Sequence, residues 1–506
     1  MSAPPLGSAG LPAGVPGSDA PRSDLPMVAP SRADPLVQWG SEGLGGPLGQ
    51  RAAFGSSWWT PLRVLVVLAV LAGGLGLLAK QSCRDNGWTT PHQFVHVCYS
   101  DIPALYSARG LDQGAVPYLD DSAERVEYPV LTGAVMWVSA RLVDEDADNR
   151  ALRYFDVNAL ALAAAGVVVV GATALTVRRR PWDAALVALS PALVLAMYIN
   201  WDLYAVALTS LALLAWSRSR PGVAGVLLGL AVSAKFYPLL LLGPLTLLCL
   251  RSGHLGELRR TVGAAAAAWL AVNLPVALAD WDGWIRFYVF SREREVGWSS
   301  PWLLFSLLGG EVPGPLNALA AGTFFLCCVG IAALALGAPR RPRLAQLCFL
   351  VLAAFVCVNK VYSPQFVVWV IPLAALARPV WRDHLVWITG EVIHFVGVWL
   401  YFVGMSNPDR GLSDTGYAWT IGAHLAGTLW LVAMVVRDVL DPAHDPVRAD
   451  GADPGVDGVT DDPGGGPLDG APDVSPSWRV RNRGRRRDAA SSSAPERPVP
   501  RPEPAG

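Results

Sequence analysis

The 506-residue chain is poor in charge: 16% of its residues are Asp, Glu, Lys or Arg, against 52% hydrophobic. That balance excludes an ordinary soluble domain and fits a membrane protein. A formal net charge of −1 offers no basis for a nucleic-acid partner. Lysine is scarcer still, with only Lys80, Lys235 and Lys360 among 40 basic residues. A chain that uses arginine almost everywhere keeps a compact, strongly hydrated ammonium at three points. No Cys/His cluster has zinc-ligand spacing, so no metal site is expected, and His92 with His96 is weak ground for one. The glycine motifs of nucleotide-binding loops are missing, as is any internal repeat. The first 57 residues lack an apolar run, which argues against a cleavable signal peptide and predicts a disordered cytoplasmic tail.

Long apolar runs make up most of the rest. A spanning helix needs about 20 mostly apolar residues, fewer where neighbours shelter it. Spans are predicted at 61–79, 154–177, 183–199, 203–216, 222–234, 236–250, 262–279, 315–337, 344–358, 365–377, 384–404 and 417–437. The expected fold class is therefore an all-α polytopic membrane protein with about 12 transmembrane helices. Arginines at 178–180, 218, 220, 251, 259, 260, 340, 341, 343, 378 and 382 gather in alternate loops, which sets those loops and both termini in the cytoplasm. Counting 128–143 as a further span would invert all later helices, so it is read as an interfacial helix. It then lies in a large first extracytoplasmic loop, 80–153, and a second such loop is 280–314. The membrane domain is 58–437, and 438–506 reads as a disordered cytoplasmic tail whose basic cluster at 479–487 faces anionic lipid.

This topology brings the polar motifs to one side. They are Cys98-Tyr-Ser-Asp101-Ile-Pro-Ala-Leu-Tyr106, Gly114-Ala-Val-Pro117-Tyr118, Glu127-Tyr128-Pro129, Asn200-Trp201-Asp202, Ser233-Ala-Lys235-Phe-Tyr237-Pro238 and Asn359-Lys360-Val-Tyr362-Ser-Pro364-Gln365. A lysine at a helix break near the membrane is a functional candidate, because a broken helix at that depth is tolerated where it lines a cavity. Each motif has a plainer reading. Asp101 suits a helix cap as well as a catalytic base, and Asp202 suits a cap better than a site. Lys235 and Lys360 also suit snorkelling, and Glu127 suits the start of the interfacial helix. Arg286, Arg292 and Arg294 fit a solvated loop and an anionic-headgroup site equally well. Cys83 and Cys98 alone fall outside, where a disulfide would staple the Asp101 loop and contribute on the order of 3 kcal/mol. The other five cysteines read as apolar packing.

An outward-facing transferase needs a donor delivered through the membrane, and a polyprenyl-phosphate sugar meets that need. Its phosphate calls for a cation, Lys235 or Lys360, and the acceptor hydroxyl for a base, Asp101. Tyr106, Tyr118, Tyr128, Asp202, Tyr237, Tyr362 and Gln365 are the further candidates for substrate contact. Asp101-x4-Tyr106, Gly114-x2-Pro117-Tyr118 and Tyr128-Pro129 resemble the first-loop signature of bacterial glycosyltransferase family 87, and Lys235-x2-Pro238 resembles that family's lysine–proline break. Asn359-Lys360-Val…Gln365 with Trp369 is also similar to a stretch of the first mannosyltransferase of GPI-anchor synthesis. The likeness runs over roughly 60–437. It implies a GT-C fold, Asp101 as base and a mannose donor. A single displacement by the acceptor hydroxyl would invert the anomeric centre. The expected acceptor is a glycolipid or cell-envelope glycan, and no cofactor is expected, a divalent metal being left open. Gln365 departs from the family, where many relatives carry a histidine. A transporter or lipid flippase, or a GT-C enzyme moving arabinose or glucose, is the competing expectation.

Overall fold

The computed structural model describes residues 34–45, 58–120, 124–407, 409–448 and 461–474. Among the described residues all regular structure is helical. Six helices are long and apolar enough to cross a membrane: Pro61–Asn86, Arg150–Thr176, Leu255–Ala279, Leu316–Gly337, Trp381–Ser406 and Asp414–Leu440. Shorter apolar helices complete the bundle at Val130–Arg141, Asp202–Ser217, Pro221–Ala234, Tyr237–Ser252, Leu344–Val358 and Pro364–Ala377. Eleven of the predicted spans correspond to one of these twelve helices; the twelfth, Val130–Arg141, was read as interfacial.

Residues 183–199 are the exception. Instead of one span they form a tight turn Pro181–Ala184 and two short helices, Ala185–Ala188 and Pro191–Ala196. Pro191 has no N–H to give and pushes Ser190 into an extended conformation, so a helix cannot run through. The apolar run hid that break.

Burial separates centre from rim. Every residue of Val367–Ala377 is buried, making this short helix the axis of the bundle. Leu255–Ala279 and Leu316–Gly337 are only 11% buried over their most apolar windows, so their apolar faces point outward, as lipid-facing helices do. Pro221–Ala234 packs tightly on Leu255–Ala279 through Gly225 and Gly229. A Cβ there would lie 2.3 Å from the Thr261 carbonyl oxygen and 2.2 Å from that of Ala265. Small residues four apart let two backbones meet where burial of apolar surface gives no driving force between helices.

The ends of the chain are more structured than composition suggests. A helix spans Pro35–Gly45, and the Asp34 carboxylate before it accepts from the Trp381 amide at 2.7 Å. Residues 438–448 and 461–474, read as tail, pack against the arginine-rich helix ends. Asp445 pairs with Arg343 at 2.7 Å, Asp461 with Arg341 at 2.9 Å and Asp473 with Arg251 at 2.7 Å, while Asp438 pairs with Arg378. The rest of the expected tails, including the basic cluster 479–487, lies outside the described residues.

Candidate active site

The first loop is pinned to the bundle before it can present a carboxylate. Cys83 and Cys98 are joined by a disulfide with Cα atoms 5.7 Å apart. Lys80, 1% exposed, donates to the Tyr99 carbonyl at 2.8 Å. The staple and this bond fix the same crossing, and the helix Asp101–Ala108 begins two residues later. Ser100 caps that helix by accepting from the Ile102 amide at 3.2 Å, and it also donates to the Tyr198 carbonyl at 2.8 Å. Asp101 is the first helical residue, so its carboxylate is left to other partners.

Those partners are hydroxyls. Tyr99 donates to Asp101 Oδ1 at 2.7 Å, and Tyr128 approaches Oδ2 at 3.5 Å. Asp101 is half-buried. Loss of water raises its carboxyl to about 6; the Tyr99 bond and the Lys235 charge oppose the rise, while Asp202 and Glu127 add to it. Glu127 does not begin the next helix, which starts at Val130 behind Pro129. Arg109, at the end of the Asp101 helix, grips Glu127 with two bonds of 2.7 and 2.8 Å and so holds Tyr128 opposite Asp101.

Asp202 does not cap its helix. The Asn200 side chain takes the Asp202 amide at 3.0 Å, while the Asp202 carboxylate meets Lys235 Nζ at 2.6 Å and the Trp369 indole N–H at 2.8 Å. A carboxylate with both oxygens committed to a cation and an indole has none free for a helix amide, which corrects the cap reading. Lys235 sits where the Pro221–Ala234 helix ends, its ammonium 4.9 Å from the Tyr128 ring centroid and 5.7 Å from that of Trp369. Tyr237 stacks on Trp369 at 4.7 Å and donates to Thr209 at 3.2 Å. Asp101, Tyr128, Asp202, Lys235 and Tyr237 thus form one cluster walled by aromatic rings.

Other expected site residues lie elsewhere. Tyr106, 1% exposed, stacks on Tyr154 at 4.3 Å in the core. Tyr118 donates to the carbonyls of Tyr128 and Pro129 at 2.9 and 2.8 Å, shaping the turn beneath Tyr128. Tyr362 points to Glu391, 2.8 Å away, and stacks on His424. Gln365 is buried in the turn Pro364–Phe366. Lys360 donates to the carbonyl of Arg292 at 2.8 Å and to that of Arg294. Tyr99 and Lys80 were missed by sequence reasoning. Their signals were faint: a tyrosine two residues from the aspartate, and the scarcity of lysine. No group of three or more potential metal-binding side chains occurs among the described residues.

A carboxylate of raised proton affinity, hydrogen-bonded to tyrosines beside a lysine and stacked rings, suits acid–base chemistry on a polyhydroxylated substrate. The sequence pattern of glycosyltransferase family 87 matches residues 128–359. This stretch holds Tyr128, Asp202, Lys235 and Tyr237, and begins after Asp101. No curated protein matches the chain. Among solved structures, that of ArnT from Cupriavidus metallidurans bound to undecaprenyl phosphate is similar over 75% of this chain and 77% of that one, at 15% identity and a TM-score of 0.42. The family match, on a bundle with six membrane-length helices, supports a membrane glycosyltransferase.

Proposed function

We propose that the chain is a GT-C glycosyltransferase that moves a hexose, mannose by resemblance, from a polyprenyl-phosphate donor to a glycolipid or cell-envelope glycan on the extracytoplasmic side. The observation that carries this reading is Asp101: half-buried, hydrogen-bonded to Tyr99 and raised to about 6 beside Lys235. A base with that affinity is mostly ionised at neutral pH yet still takes a proton readily. Both helix-capping readings of the site's carboxylates are weakened, since Ser100 caps the Asp101 helix and the Asp202 oxygens are committed to Lys235 and Trp369.

In the reaction the acceptor hydroxyl gives its proton to Asp101 as its oxygen bonds to the anomeric carbon. The bond from that carbon to the phosphate oxygen breaks, and the electron pair leaves with the polyprenyl phosphate. One displacement inverts the anomeric centre. Tyr128, beside Lys235, is the ring nearest the candidate base, and Glu127 with Arg109 keeps it in place, while Tyr237 and Phe366 stack on the two faces of Trp369 and brace the wall behind it.

The test is a membrane assay with labelled polyprenyl-phosphate mannose, arabinose and glucose. Transfer from the mannose donor, lost in a strain lacking the protein and restored by its expression, is expected. Transfer from arabinose or glucose alone would replace the sugar, and no transfer from any of the three would overturn the reading.

A further inference from the structure

The segment that leads to Asp101 is held under strain. Val97 adopts φ 54°, in the left-handed region that a β-branched residue avoids and glycine favours. Such a conformation persists only where the surroundings over-determine it. Here the Cys98 amide donates to the Gln93 carbonyl at 3.0 Å, and Cys98 is bridged to Cys83. Tyr99, the next residue, is then fixed at its backbone and at its ring. Its carbonyl accepts from the buried Lys80 ammonium at 2.8 Å. A buried ammonium on a neutral carbonyl is costly, and the negative charge acting on it is that of Asp101. The Tyr99 ring stacks on Trp399 with centroids 4.6 Å apart, and Phe94 lies 6.0 Å from both rings. Trp399 belongs to the membrane helix Trp381–Ser406, so the phenol is braced against the bundle as well as the loop.

So held, the Tyr99 hydroxyl donates to Asp101 Oδ1 at 2.7 Å, which makes the two carboxylate oxygens unlike. Oδ1 carries a donor that belongs to the scaffold. Oδ2 is approached by the Tyr128 hydroxyl at 3.5 Å, the outer limit of a hydrogen bond. The Tyr128 ring is the one beside Lys235, 4.9 Å from its ammonium, so Oδ2 is the oxygen on the side of the Asp202–Lys235 pair. The charged and titratable groups around Asp101 are Tyr99, Tyr128, Lys235, Asp202 and Glu127, with Lys80 and Arg294 also acting on it. Of the two tyrosine hydroxyls, that of Tyr99 makes the shorter bond, and a donor to the charged form keeps a carboxylate ionised.

We propose that Tyr99 is the positioning residue of the base: it ties Asp101 Oδ1 to the scaffold and leaves Oδ2 to take the acceptor's proton. This rests on the reading of Asp101 as base above. The acceptor hydroxyl occupies the place beside Oδ2 that the Tyr128 hydroxyl approaches. Its O–H bond breaks as the proton passes to Oδ2, and the electron pair left on its oxygen forms the bond to the anomeric carbon. The bond from that carbon to the phosphate oxygen breaks, and its pair leaves with the polyprenyl phosphate. A carboxylate anchored at one oxygen cannot turn away from the hydroxyl it must meet, so the aim is set before the acceptor arrives.

The experiment uses the full chain in nanodiscs and two readouts. A hydrophobic carbodiimide labels protonated carboxyls, and peptide mass spectrometry follows the pH midpoint of labelling at Asp101 without any donor. Transfer from labelled polyprenyl-phosphate mannose then gives kcat and the donor KM. The wild-type midpoint is expected at about 6. Tyr99→Phe keeps the ring on Trp399 and removes the hydroxyl. It is expected to move the midpoint upward by roughly 0.5 pH or more and to lower kcat by roughly tenfold or more, at an unchanged donor KM. Lys80→Met, which releases the Tyr99 carbonyl, is expected to move the midpoint the same way. Tyr401→Phe, which removes a hydroxyl bonded to Asp414, is expected to change neither readout. A Tyr99→Phe midpoint equal to that of the wild type, or an undiminished kcat, would overturn the assignment and leave the donor reading standing. A wild type that transfers from no donor would overturn the donor reading, and the labelling midpoint would still decide whether Tyr99 holds Asp101.

Discussion

Lys235 Nζ lies 2.6 Å from Asp202 Oδ1, and the charges of both act on Asp101. The pair joins the end of one short helix to the start of another, and its charge helps keep Asp101 ionised. Removing the cation while leaving Asp202 raises the proton affinity of Asp101 on two counts. Lys235→Met is therefore expected to move the acid limb of the kcat/KM profile above about 6, toward neutrality. Adding Asp202→Asn removes the stranded negative charge and returns the limb part of the way. An unmoved limb in Lys235→Met would separate the two groups.

The pairs between the arginine-rich helix ends and the C-terminal residues are buried, with the Arg251 side chain at 0% and its partner Asp473 at 7% exposure. Breaking such a pair from one side strands a charge and costs about 3–5 kcal/mol. Asp473→Asn is expected to lower the melting temperature in detergent, and Arg251→Met with Asp473→Asn to recover part of the loss. An unchanged melting temperature in the single variant would show that residues 461–474 dock loosely.

Topology rests on the arginine asymmetry and is open to direct labelling. An impermeant thiol reagent applied to intact cells is expected to modify Glu311→Cys above the parent's own level and to leave Arg178→Cys unmodified. The reverse pattern would put Asp101 in the cytoplasm, where nucleotide sugars are the natural donors.

Much of the helical architecture was legible because lipid writes plainly into sequence: apolar runs gave most helices. Asp101 stood out through the motif Asp101-x4-Tyr106 and its resemblance to a family signature, while its local position suited a helix cap equally well. The pairings were not legible. Lys360 meets Arg292 across 68 residues and Arg84 meets Asp156 across 72, and no periodicity encodes such contacts. Asp202 looked like a cap because local position is visible in sequence while Trp369 and Lys235 are not. The acidic, glycine-rich stretch that carries Asp461 and Asp473 read as tail because composition records a lack of apolar residues, not complementarity to arginines far upstream.

The most direct measurement is the pH profile of transfer by wild type and Asp101→Asn, in membranes with matched protein levels. The base must be ionised to act, so wild-type kcat/KM is expected to fall as pH drops through about 6. Asp101→Asn keeps the shape but cannot serve as a general base, and is expected to lose roughly a hundredfold or more of the activity at neutral pH. Its stability moves the other way. A carboxyl raised by burial costs the fold stability above about 6, so the neutral amide is expected to melt no lower than wild type at neutral pH. Near-normal transfer by a well-folded Asp101→Asn protein would contradict the account.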